Sequence, residues 1–149
     1  HNFLCSVAST HNNFKTYNSS LRFLSENRPL YLDSFWVNYM KKHEYNPIHG
    51  HDGLYSFVVF VKIPYDLKKE EGYFPDLPIR EGKEEIQNSN FTFFNIDPTG
   101  EIIMTILKVD KSFEGKMLIF PSKQMHSVNP FYTSDDYRIT VSGNLKIKV

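Results

Sequence analysis

The stretch NPIHGHDG at residues 46–53, running on through Leu54 into YSFVVFVKI at 55–63, decides how this chain is read. The second part is a run of aromatic and β-branched residues closed by Pro64, which is the pattern of a buried strand. The first part sets two histidines one residue apart at the mouth of that strand. Residues i and i+2 of an extended chain project from one face, so His49 and His51 would present two imidazoles side by side. A metal ion needs such a pair and a third ligand from elsewhere, with positions left open if it is catalytic. The plain alternative is two surface histidines in a glycine-bearing turn. Asp52 points to the other side of an extended chain from His51, so it ranks below the histidines as a ligand.

Working outward, a chain of 149 residues suggests one domain over 1–149 with a normal core. A hydrophobic fraction of 40% against 23% charged residues places it among globular rather than disordered chains. Lys+Arg and Asp+Glu are both 17, so the formal net charge is +0. That balance argues against a nucleic-acid or other polyanion partner. With 13 Phe and 9 Tyr, the composition leans towards strands. Cys5 is the one cysteine, which removes disulfide frameworks and paired-cysteine metal sites and fits a reducing, cytoplasm-like compartment. No apolar run approaches a membrane span. The chain opens on His1 without a basic-then-apolar leader pattern, as a processed, truncated or renumbered chain would.

Taken in order, residues 1–13 read as a loosely held segment or an edge strand. Residues 14–27 space Phe14, Tyr17, Leu21 and Leu24 as an amphipathic helix does, and Pro29 ends it. Residues 30–40 (LYLDSFWVNYM) read as a strand, with Trp36 in the core. Residues 41–44 form a polar turn, and Pro47 marks 45–51 as an edge segment. Residues 66–90 are charged and broken by proline and glycine, and read as an insertion or lid. Strands are then expected at 91–96, 101–109 and 116–120, with turns between them. The final strand, within 136–148, sets Tyr137, Ile139 and Val141 against Arg138, Thr140 and Ser142. Short strands with turns at this spacing indicate an all-β sandwich or barrel with a minor helix. An exposed edge strand in such a fold would make a homodimer a natural partner state.

Two more residues bear on chemistry. His126 follows MLIFPSKQM, where Phe-Pro-Ser turns the chain at the end of a strand. Arg138 lies in the polar register of the last strand. An arginine pointing into a small barrel is costly unless it meets an anion, and its planar fork suits a carboxylate. The plain readings are a loop histidine and a solvent-facing arginine.

The order of these signals is more specific than any one of them. His-x-His before an apolar strand, then Phe-Pro-Ser and a distal His, then Arg-x-Thr-x-Ser-Gly-Asn, resembles the 2-oxoglutarate/Fe(II)-dependent oxygenases. The stretches WVNYMKKHEYNPIHGHDGLYSFVVFVKIPYD and EGKMLIFPSKQMHSVNPFYTSDDYRITVSGN look like the small members of that family from marine microbes and their phages. The resemblance implies a double-stranded β-helix, also called a jelly roll and shared with the cupins. It implies Fe(II) held by His49, His51 and His126, and 2-oxoglutarate as a small-molecule co-substrate gripped by Arg138. Succinate and CO2 would leave as a C–H bond of an unidentified prime substrate is hydroxylated. Asn38 or Tyr39, of which only one can face inward, would touch the co-substrate, with Ser56, Phe60 and Thr140 lining the same pocket. The family usually carries Asp or Glu where this chain has His51. Three histidines, Asp52 brought in by a bulge, or a vacancy filled by halide or water would each answer that departure, and period-two geometry favours three histidines. The rival readings are a cupin-like metal-binding or sugar-binding jelly roll without 2-oxoglutarate chemistry, and a structural jelly-roll module.

Overall fold

The computed structural model describes residues 2–10, 29–73 and 87–148. Among the described residues eight strands build two antiparallel four-stranded sheets. In chain order they are β1 (Leu30–Met40), β2 (Asn46–His49), β3 (Tyr55–Lys62), β4 (Phe91–Ile96), β5 (Ile102–Leu107), β6 (Met117–Pro121), β7 (His126–Val128) and β8 (Arg138–Ile147). The first sheet runs β1-β8-β3-β6 and the second β2-β7-β4-β5. Apart from the β4–β5 hairpin, neighbours in each sheet are distant in sequence, so the chain crosses repeatedly between sheets, which is the topology of a jelly roll. Helix α1 (Asn2–Thr10), the short helix α2 (Leu67–Glu71) and a 3-10 turn at Lys111–Phe113 are the helical elements described. Among the described residues no helix is long and apolar enough to cross a membrane.

Alternation along the strands sets the inner and outer faces. In β1, Phe35, Val37 and Tyr39 are exposed, whereas Ser34, Trp36 and Asn38 are half-buried and Met40 is buried. In the β1–β8 ladder, Met40 stands opposite Arg138, Asn38 opposite Thr140 and Trp36 opposite Ser142. Opposed residues share a face, so this row looks into the sandwich. β8 pairs with β1 on one side and β3 on the other. β3 is buried along most of its length. Met40, Val58, Phe60, Phe91, Phe120, Val128 and Phe131 pack as one cluster between the sheets.

Three departures from the sequence reading concern the chain's periphery. Residues 2–10 form a helix rather than a loose segment or an edge strand. Leu4, Cys5 and Ala8 make one helical stripe and pack against Leu30, Tyr55 and Leu145 of the first sheet. Residues 126–128 are a strand, β7, although only a loop was expected there. The ends of the 66–90 segment belong to the core: Glu70, Ser89 and Asn90 are buried. The Glu70 carboxylate accepts hydrogen bonds from the backbone N–H groups of Tyr132 and Thr133. These tie α2 to the loop that leads into β8. The helix expected at 14–27 and the middle of the expected insertion, 74–86, lie outside the described residues.

Gly143 is required by close approach. A Cβ there would lie 2.5 Å from the Ser34 carbonyl oxygen and 2.7 Å from the Phe57 ring. Gly143→Ala is therefore expected to cost roughly 1–3 kcal/mol of stability. A urea melt followed by far-UV circular dichroism checks this, and an unchanged midpoint would contradict it.

Candidate metal centre

β2 and β7 are short strands, and β7 is held between β2 and β4. The β2–β7 pairing sets His49 directly opposite His126. His51 lies just beyond the end of β2. Its N–H donates to the Ser122 carbonyl at 2.8 Å, which bends the chain so that His51 turns back towards the other two. The ligand atoms of His49, His51 and His126 all lie within 4.8 Å of one another. The ring centroids are separated by 4.9 Å for His49–His51, 4.3 Å for His49–His126 and 5.1 Å for His51–His126.

The hydrogen bonds select the nitrogen that faces inward. His49 Nδ1 lies 2.6 Å from the Pro47 carbonyl and His126 Nδ1 lies 2.9 Å from the Gln124 carbonyl. A carbonyl can only accept, so each ring carries its hydrogen on Nδ1 and keeps a lone pair on Nε2. This is how ligating histidines are oriented. Aromatic packing holds the rings. Phe91 stacks on His126 at 5.2 Å with an interplanar angle of 5°, Phe120 meets its edge, and Trp36 lies 5.7 Å from His51. Burial pulls the His126 pKa down to about 4, opposed by the Gln124 carbonyl and aided by His49 and His51. Burial and His49 lower that of His51 as well. Both rings are thus neutral at neutral pH, the form that binds a metal. Three imidazoles with ligand nitrogens this close together fit a divalent transition metal.

The other candidate residues divide. Arg138 is buried and lines a cavity of about 650 Å³ with all three histidines, Asn38 and Thr140. Its Nη1 donates to the Ser89 carbonyl at 3.0 Å and to the Tyr65 hydroxyl at 3.3 Å. Among the described residues no carboxylate pairs with it. Asn38 faces inward and donates to the Thr140 and Ser142 hydroxyls. Tyr39 borders the cavity, but its ring is exposed on the opposite face, edge-on to Tyr137. Ser56 is buried beneath the cavity wall, bonded to Ser122 and Asn144, and is not one of the residues lining it. Asp52 stands outside the cluster, exposed and paired with Lys123 at 3.1 Å. Trp36, expected in the core, is part of the cavity wall. Tyr65 and Ser89, which hold Arg138, were not singled out from sequence. Their only local signs are a proline before Tyr65 and, in the fold, a positive φ of 61° at Ser89.

The lowered His126 pKa has a consequence for the metal-free protein. Between its ordinary value of 6.5 and about 4, the unfolded state binds the proton that the folded state refuses. Stability therefore falls as the pH drops through this window and levels off below it, by roughly 3 kcal/mol in all. Thermal melts of the chelator-treated protein from pH 7 to pH 4 check this. The His126→Phe variant is expected to lose much of that slope.

A family model described as 2OG-Fe(II) oxygenase matches residues 34–144. No curated protein matches the chain. The matched segment runs from β1 to β8 and holds the histidine triad and the buried arginine, and the chain belongs to the 2OG-Fe(II) oxygenase family.

Proposed function

We propose that this protein is a 2-oxoglutarate-dependent oxygenase whose metal is held by three histidines. One juxtaposition carries the reading. His49, His51 and His126 share a cavity with Arg138, a buried cation that no described carboxylate neutralises. A buried unpaired guanidinium is expensive unless an anion meets it. A dicarboxylate that binds the metal at one end can offer its other carboxylate to the arginine fork.

His49, His51 and His126 would hold Fe(II), which when bound supplies oxidation of a C–H bond coupled to decarboxylation of 2-oxoglutarate. Arg138 binds the far carboxylate of the co-substrate, and the Ser89 carbonyl and Tyr65 hydroxyl fix the plane of its fork. Asn38, Thr140 and Ser142 form a polar row beside it. Phe60, Phe91, Phe120 and Val128 keep the wall apolar and exclude water. With His51 in the place of an acid, the protein contributes no negative ligand, so charge balance at the metal falls to the co-substrate. This makes co-substrate and metal binding strongly interdependent.

Anaerobic titration of Fe(II) and 2-oxoglutarate into the purified protein tests the reading. A visible charge-transfer absorption of the chelate is expected. It should be lost in His126→Ala, and Arg138→Ala should require at least about tenfold more 2-oxoglutarate, as loss of a charged hydrogen bond predicts. Metal binding without that absorption would sink the proposal. If it forms but Arg138→Ala is indifferent, the arginine assignment fails.

Tyr65→Phe removes one bond to the Arg138 fork and leaves the histidines untouched. The half-saturating 2-oxoglutarate concentration should rise by about 2- to 12-fold, the net worth of a typical hydrogen bond, because Tyr65 positions Arg138 without touching the co-substrate. Fe(II) affinity measured without co-substrate should not change.

A further inference from the structure

We propose that the edge of β5, which no described strand covers, is a self-association surface, on which a second copy of this chain pairs its own β5 in antiparallel register. The argument is independent of the metal chemistry. Four strands end the two sheets: β1 and β6 in one, β2 and β5 in the other. A sheet edge is a row of unpaired N–H and C=O groups, and edges that stay single are blunted by bulges, charges, proline or shortness. Three of these edges carry such devices. β1 has a register break between Leu32 and Ser34, with Asp33 there paired to Lys146. β2 is four residues long, contains Pro47 and is itself irregular. β6 is five residues long and ends at Pro121. β5, Ile-Ile-Met-Thr-Ile-Leu, has none. It carries no charge, proline or glycine, and its ladder to β4 runs without a shift from Ile102 to Leu107.

Its exposure is equally unusual. Ile102, Ile103, Met104 and Thr105 are exposed in succession, so both faces of the strand are open. Across the hairpin, Ile96 is 76% exposed and stands opposite Ile102. The hairpin is well formed: Asp97 closes its turn by accepting from the Thr99 and Glu101 N–H groups. These apolar residues are therefore presented by an ordered element.

The strand is complementary to itself. The Phe94 N–H goes to Met125, away from β5. By alternation, Phe93 and Asn95 turn towards β5, where Thr105 and Ile103 face them. The backbone groups of Ile102, Met104 and Ile106 are thus directed to the free edge. A two-fold axis normal to the sheet keeps each residue on its own face, so an antiparallel pair centred on Met104 sets Ile102 against Ile106 of the second copy. The pairs formed are Ile102–Ile106, Ile103–Thr105 and Met104–Met104, apolar but for the Thr105 hydroxyl. Glu101 precedes the strand and Lys108 follows it. In the antiparallel pair Glu101 stands opposite Leu107 of the second copy, one residue from Lys108, which is also paired with Glu71 of its own chain, whereas parallel pairing would set like charges together.

The test uses the full chain, in sedimentation and in light scattering after gel filtration, from roughly 1 to 100 μM. The mass is expected to rise from one copy to two across this range. Exchange of the Ile102, Met104 and Ile106 amides should slow as the concentration rises. Met104→Lys and, separately, Ile102→Lys should hold the mass at one copy with an unchanged far-UV spectrum. Phe35→Lys, on the exposed face of the first sheet, should still dimerise. A one-copy mass at the highest concentration overturns the proposal, whether the edge is then idle or meant for a strand from another protein. So does a dimer that survives Met104→Lys and Ile102→Lys.

Discussion

The central position of β8 in the first sheet is the constraint on which the site depends. A strand bonded on both sides cannot slip by one residue without breaking two ladders, and such a slip would turn every side chain to the other face. Here the inward set is Arg138, Thr140, Ser142 and Asn144, a polar row inside the sandwich. That arrangement is stable only if each group finds a partner. Asn38 serves Thr140 and Ser142, Ser56 and Ser34 serve Asn144, and Tyr65 with Ser89 serves part of Arg138. The remaining capacity of the guanidinium opens on the cavity. The fold thus accepts one incompletely satisfied cation at the place where an anionic ligand would complete it.

The histidines pose the complementary problem from the second sheet. Burial, helped by the neighbouring imidazoles, keeps protons off His126 and His51, and Phe91, Phe120 and Trp36 pack against these rings. The Pro47 and Gln124 carbonyls settle the tautomers of His49 and His126 before any metal arrives. The site is organised by backbone carbonyls and ring packing rather than by a carboxylate, in keeping with a ligand set that lacks one. The two sheets carry different groups: the second, with the turn after β2, presents the three histidines, and the first presents the buried arginine.

Much of this was legible in the chain. The strands at 30–40, 55–62 and 91–96 announce themselves by β-branched and aromatic runs bounded by proline or turn residues. The His49/His51 pair and the alternation through Arg138 were readable because period-two geometry is local. What escaped has one cause. Residues 126–128 are too short and mixed to declare a strand, and become one only because β2 and β4 lie on either side. α1 carries an apolar stripe of three small or medium residues that means little until Leu30, Tyr55 and Leu145 are beneath it. Glu70 reads as one more charge in a charged segment, yet it is buried because the Tyr132 and Thr133 amides are there to receive it.

By itself, the sequence determined which residues alternate, where the turns fall and which side chains could ligate a metal or hold an anion, since these follow from neighbours along the chain. Only the tertiary structure decided that His126 lies opposite His49, that Asn38 rather than Tyr39 turns its side chain inward, and that Asp52 points to Lys123 and solvent. It also decided that Ser89 and Tyr65 hold the arginine. The physical reason is that these outcomes depend on register between strands far apart in the chain. That register is set by packing two sheets together, which no local pattern specifies.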